Sequence, residues 1–114
     1  MKLCGVCIMT NDIMKLCDFY SLVFQKTPQG TDVHKTFDDE QLAIWNPGSV
    51  SLSLEKNISI MFYVEDVSGI YKRLKSFAHL NNIKEPEIKP WGVKALKLND
   101  PDGNEINLLE ILHN

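Results

Sequence analysis

From the N-terminus, Leu3 to Met9 is a short apolar run closed by Thr10-Asn11-Asp12, a pattern that predicts a strand and its stop. The apolar positions then switch to Ile13, Leu16, Cys17, Tyr20, Val23 and Phe24. Steps of three and four predict an amphipathic helix, with Asp12 as its N-cap and Pro28 marking its end. Three strands are expected next: a weak one over 25–27, then 33–37 and 41–45, with Asp38-Asp39 between the last two. A polar connection opens at Asn46-Pro47-Gly48-Ser49 and runs through Ser53 to Asn57, after which the same order restarts with an apolar run from Ile58 to Val64. Asp66 is placed to cap a second helix whose apolar positions are Val67, Ile70, Tyr71, Leu74, Phe77 and Ala78. Subtracting 54 from 67, 70, 71, 74, 77 and 78 returns 13, 16, 17, 20, 23 and 24, and subtracting it from the cap at 66 returns 12. One plan is written twice.

The second copy continues through Glu85-Pro86-Glu87-Ile88-Lys89-Pro90, too proline-rich for a helix, to strands expected over 93–98 and 105–111. Between them, Asp100-Pro101-Asp102-Gly103-Asn104 predicts a chain reversal, Pro presetting the backbone and Gly taking the left-handed position. The fold expected is α+β: two tandem βαβββ modules, 1–54 and 55–114, in one domain. They would form a cup-shaped, mostly antiparallel sheet with both helices on its outer face, because either module alone leaves a sheet half covered. The concave side is then free for a ligand or a partner.

Composition narrows the function. With 114 residues, 44% of them apolar, the chain can bury a core without disulfides or structural metal. Twelve Lys+Arg against fifteen Asp+Glu, with no run of five like charges, give no reason to expect nucleic acid or anionic lipid as a partner. No apolar stretch is long enough to span a bilayer and no signal-peptide core completes itself, so the expected compartment is the cytoplasm. Cys4, Cys7 and Cys17 are odd in number and fit unpaired thiols in a reducing compartment. Cys4 and Cys7, three apart on an expected strand, point to opposite faces and cannot share a metal; each is expected to be a buried thiol.

Thr10-Asn11-Asp12-Ile13 with Asp18-Phe19-Tyr20, Val64-Glu65-Asp66-Val67, and Trp91-Gly92 leading to Asp100-Pro101-Asp102-Gly103-Asn104 together resemble the vicinal oxygen chelate superfamily. That group holds glyoxalase I, extradiol dioxygenases and the bleomycin and fosfomycin resistance proteins. The resemblance covers nearly the whole chain. It implies paired βαβββ modules, a cup-shaped sheet enclosing a pocket, and a homodimer. It also implies metal positions seven residues before each cap aspartate and four after the turn glycine, which here are Gly5, Ser59 and Asn107. Gly5 has no side chain, and a hydroxyl and an amide leave a divalent charge uncompensated. No metal and no other cofactor is therefore expected. His34, His79 and His113 share no ligand spacing, and no catalytic residue is assigned.

If those three positions face the concave side, alternation brings Leu3, Cys7 and Met9 from the first strand, and Met61 and Tyr63 from its repeat mate, beside Ser59 and Asn107. Val6, Ile8, Ile60, Phe62, Val64, Ile106 and Leu108 then lie under the helices. Leu96 and Leu98 join that layer, leaving Val93, Ala95 and Lys97 toward the cup, while Glu110 turns away from it. Lys97 is either an anion contact or a rim lysine with its ammonium in water. Trp45 and Trp91, each beside a loop, either stack on a planar ligand or belong to core and contact surfaces, and His34 and Tyr63 could add polar contacts. The expected activity is binding of a small apolar or aromatic molecule by Cys7, Met9, Trp45, Ser59, Met61, Tyr63, Trp91, Lys97 and Asn107, without metal and by a homodimer. The alternative is a metal-dependent lyase, isomerase or dioxygenase of the glyoxalase type using displaced ligands such as Glu105 or His34.

Overall fold

Asp12 starts the first helix. Its Oδ1 accepts from Lys15 N at 3.1 Å, and α1 runs Ile13–Phe24 in the computed structural model of the chain. The structure describes residues 1–53 and 55–113; Leu54 and Asn114, the final residue expected of each module, lie outside the described residues. Around α1 stand β1 (Val6–Met9), β2 (Gln29–Gly30), β3 (His34–Phe37) and β4 (Leu42–Trp45), in the sheet order β1-β4-β3-β2. The β1–β4 pair is parallel and the other two pairs are antiparallel. The order repeats as β5 (Ser59–Tyr63), α2 (Val67–Lys75), β6 (Glu87–Lys89), β7 (Val93–Asn99) and β8 (Glu105–Ile111), with the sheet order β5-β8-β7-β6. The architecture is thus α+β, in two mixed four-stranded sheets of one plan. The chain divides into two compact units, Met1–Glu55 with Asp100–Asp102, and Lys56–Asn99 with Gly103–Asn114.

In the first unit, Ile8, Phe37, Leu42 and Ile44 are buried on the α1 side against Ile13, Leu16, Phe19, Tyr20 and Val23. The Phe24 and Phe37 rings meet edge to face, centroids 5.2 Å apart, in the geometry aromatic pairs prefer. Tyr20 and Asp100, both buried, share a hydrogen bond in which the phenol donates to Oδ2 at 2.7 Å. A buried carboxylate needs such donors, and Asp102 N adds a second, to Oδ1 at 2.9 Å. Burial first, and then the Asp100 charge, push the Tyr20 hydroxyl far above its ordinary pKa.

In the second unit, Leu96, Leu98, Ile106 and Leu108 are buried on the α2 side with Val67 and Leu74. Asp66 caps α2 by accepting from Gly69 N at 3.0 Å. Glu110 accepts from Val67 N at 2.9 Å, confirming that its side chain turns to the helix face. Lys72, Arg73 and Lys75 fill the last turn of α2, where cations suit the helix dipole.

Four expectations shift. The first strand begins at Val6, not Leu3, and Leu3 is exposed. Cys4 precedes the strand, and both Cys4 and Cys7 are exposed rather than buried; only Cys17 of the three is buried, and burial raises its pKa. No strand forms over 25–27, because Gln25 takes a left-handed conformation (φ 54°) as the C-cap of α1, so pairing begins beyond Pro28, at Gln29. Finally, α2 stops at Lys75: the Ser76 hydroxyl donates to Arg73 O at 2.7 Å and Phe77 turns extended. Phe77 and Ala78 thus leave the helical face, and Leu80, in a short 3₁₀ turn, supplies the buried side chain. The segment 85–90, read only as non-helical, holds β6 at the sheet edge, where flanking prolines cost no ladder bond.

Candidate functional site

Cross-strand register decides which side chains share the uncovered face of each sheet, because residues directly opposite one another lie on the same side. In the first unit, Cys7 is opposite Ala43, Met9 opposite Trp45, and Ala43 and Trp45 opposite Thr36 and His34. These alternate with the positions buried under α1, so Cys7, Met9, Trp45 and His34 stand on the open face. Met9 is 49% and Trp45 40% exposed. In the second unit, Ser59 is opposite Glu105, Met61 opposite Asn107, Tyr63 opposite Leu109 and Lys97 opposite Asn107. These too alternate with the layer under α2, and Met61 and Tyr63 are 66% and 76% exposed. Eight of the nine expected site residues therefore occupy the open face of their own sheet; the ninth, Trp91, is in the turn between β6 and β7 and is exposed.

The second open face carries a polar corner. Asn107 Nδ2 donates to Ser59 Oγ at 2.6 Å and to Glu105 Oε2 at 3.1 Å. Lys97 Nζ lies 3.2 Å from Glu105 Oε1. The Ser59 hydroxyl, then the Lys97 ammonium, hold the Glu105 carboxyl below its ordinary pKa, and Asn107 adds to the effect. Glu105 is therefore ionised at neutral pH, with its oxygens already engaged. Sequence reading took Glu105 and Lys97 one at a time. The signal that unites them is their shared parity across the Asp100–Asn104 turn, which fixes the β7–β8 register.

The implied metal positions fail a structural test. At Gly5 a Cβ would stand 2.7 Å from the Gln41 carbonyl oxygen, so no ligand side chain fits there without moving backbone. Ser59 and Asn107 are neutral and bonded to each other, and the one carboxylate beside them is neutralised by Lys97. This donor set does not suit a divalent cation. His34 is exposed, at the start of β3.

Sequence reasoning missed a cleft in the first unit, about 250 Å³ in volume, with Phe37, Asp39 and Glu40 among its walls. Lys26 bridges it, with Nζ 3.0 Å from Asp39 and 2.6 Å from Glu40, one ammonium among the three carboxylates of Asp38, Asp39 and Glu40.

A family model described as a glyoxalase-like domain matches residues 3–113. Solved structures with the same fold include a bleomycin-binding protein complexed with bleomycin, with 21% identity, TM-score 0.71, and 96% of this chain and 98% of that one covered. A fosfomycin resistance protein from Listeria monocytogenes gives 15%, 0.73, 96% and 93%. A lactoylglutathione lyase from Agrobacterium tumefaciens gives 17%, 0.70, 96% and 92%. At such identities the likeness is one of fold. No curated protein matches the sequence.

Proposed function

The chain belongs to the glyoxalase-like domain family of the vicinal oxygen chelate superfamily, and from that premise we propose that it is a small-molecule binding protein that works without metal. The ligand is a small, largely apolar or aromatic molecule held against the open sheet faces, and the activity is binding, in line with the structural likeness to a bleomycin-binding protein complexed with bleomycin. One observation carries this reading: the position where a ligating carboxylate is expected holds Asn107, whose two amide hydrogens go to Ser59 and Glu105. The exposed Met9, Trp45, Met61 and Tyr63 support it, since apolar side chains standing in water on a face of regular strands are ready contacts for a flat ligand. Ligand binding is assigned to Cys7, Met9, Trp45, Ser59, Met61, Tyr63, Trp91, Lys97 and Asn107, and the working state to a homodimer in the cytoplasm. Among the described residues, no helix is long and apolar enough to cross a membrane.

Calorimetric titration with Zn²⁺, Ni²⁺ and Mn²⁺ tests the metal-free reading. No stoichiometric binding is expected; one site of submicromolar affinity would contradict it. The neighbouring lactoylglutathione lyase favours a second reading, an enzyme in which Glu105 acts on substrate or metal. That reading requires Glu105→Gln to abolish turnover of a thiohemiacetal or a catechol while the fold persists.

A further inference from the structure

The polar corner of the second sheet has a fixed polarity, and this names the chemistry of what can dock there. Glu105, ionised, can only accept hydrogen bonds. Its Oε1 faces Lys97 and its Oε2 takes an amide hydrogen of Asn107, and the nearby Ser59 hydroxyl helps hold the carboxyl below its ordinary pKa. The Ser59 oxygen accepts the other amide hydrogen of Asn107. Both hydrogens of the amide are thereby committed. The amide cannot turn over without setting its oxygen against the ionised Glu105 carboxylate, which can only accept. Asn107 therefore presents Oδ1 as an acceptor, and among the described residues no hydrogen bond engages it. The charges in the corner cancel, one ammonium against one carboxylate. An incoming anion would have to compete with Glu105 for Lys97 and sit close to a like charge.

We propose, resting on the binding function above, that this corner selects a neutral ligand bearing a hydrogen-bond donor, a phenol-type hydroxyl or a ring or amide N–H, received by Asn107 Oδ1. The flat apolar body of that ligand lies over Met61 and Tyr63. Met61 is directly opposite Asn107, and Tyr63 follows it on the same face. Strand spacing and rise put the apolar contacts about 5–7 Å from the amide, the separation between the donor and the far ring in a two-ring aromatic. The site thus discriminates by the sense of one hydrogen bond.

The test compares 2-naphthol, 2-methoxynaphthalene and 2-naphthoate against the full chain, with affinities read by titration of the Met61 methyl resonance. The expected order is naphthol tightest and the methyl ether about tenfold weaker, roughly one net hydrogen bond. Naphthoate is expected to be weakest. In Asn107→Leu the preference of naphthol over its ether falls to about onefold while the ether still binds, which shows that the face is intact. The order in the unaltered protein decides the matter even if that variant does not fold. Equal affinities for naphthol and its ether, or naphthoate binding best, would overturn the donor selection and leave the binding function standing. If none of the three binds at millimolar concentration, both fall.

Discussion

The two modules share a backbone register and differ in what they place on it. From β1 to β5 the offset is 54, since Cys7 corresponds to Met61; from β4 to β8 it is 64, since their partners Ala43 and Asn107 correspond. Under the helices the two sets agree in character: Leu42 and Ile44 match Ile106 and Leu108, all buried. On the open faces they diverge. Ala43, with Thr36 opposite it, stands where the second unit has Asn107 and Lys97. What the fold requires thus separates from what the ligand requires: the covered layer is constrained twice over by packing, while the open layer is mixed in one copy, with Thr36 and His34 beside Ala43 and Trp45, and carries a self-neutralised polar corner in the other.

The largest effect expected is common to both units. Ile44→Ala and Leu108→Ala each remove a side chain from the covered layer and should cost about 2–5 kcal/mol in denaturant unfolding. A cost confined to one unit would break the equivalence. Tyr20→Phe comes next, since it leaves the buried Asp100 without its phenol donor at about 1.5–3 kcal/mol. The matching position, 74, is Leu, so this bond belongs to the first unit alone. Asp12→Ala and Asp66→Ala each remove an N-cap bond and should cost about 1 kcal/mol apiece. Met9→Ser and Met61→Ser should change stability by no more than about 0.5 kcal/mol, because both side chains stand in water. Met61→Ser should still weaken binding of 2-naphthol, read by fluorescence titration.

The smallest effect is a pH dependence. Glu105 has a lowered pKa in the folded chain, so its contribution is full above the ordinary value and is lost only as pH falls through the lowered one. The side-chain amide resonances of Asn107 should hold still down to the ordinary glutamate value of 4.5 and move below it. A midpoint above that value would mean that Lys97 and Ser59 do not hold the carboxylate.

Much of the fold was legible because periodicity is local. Asp12 and Asp66 announced the helix starts, and the offset of 54 held through both first strands and into both helices. The legible part ends where one residue tips a competition. Gln25 enters a left-handed cap that its residue type does not advertise, and the Ser76 hydroxyl cuts α2 short by taking a carbonyl. The ten extra residues of the second module, 64 less 54, were hidden because they fall around the proline-flanked β6 and the β7–β8 turn, where spacing carries no period. For the site, alternation from the implied positions put seven residues on open faces, while Trp45 was singled out only by the loop beside it; the Lys97–Glu105–Asn107–Ser59 network depends on rotamers and register across three strands. No single residue type reveals that arrangement.

The most direct test is a titration of chelator-treated protein with 2-naphthol, followed through its methionine methyl resonances. Met61 stands on the open face of the second sheet, and Met14, exposed on α1, serves as the internal control. Saturable movement of the Met61 methyl with Met14 unmoved is the result predicted. Movement that begins only after Zn²⁺ or Mn²⁺ is restored would contradict it.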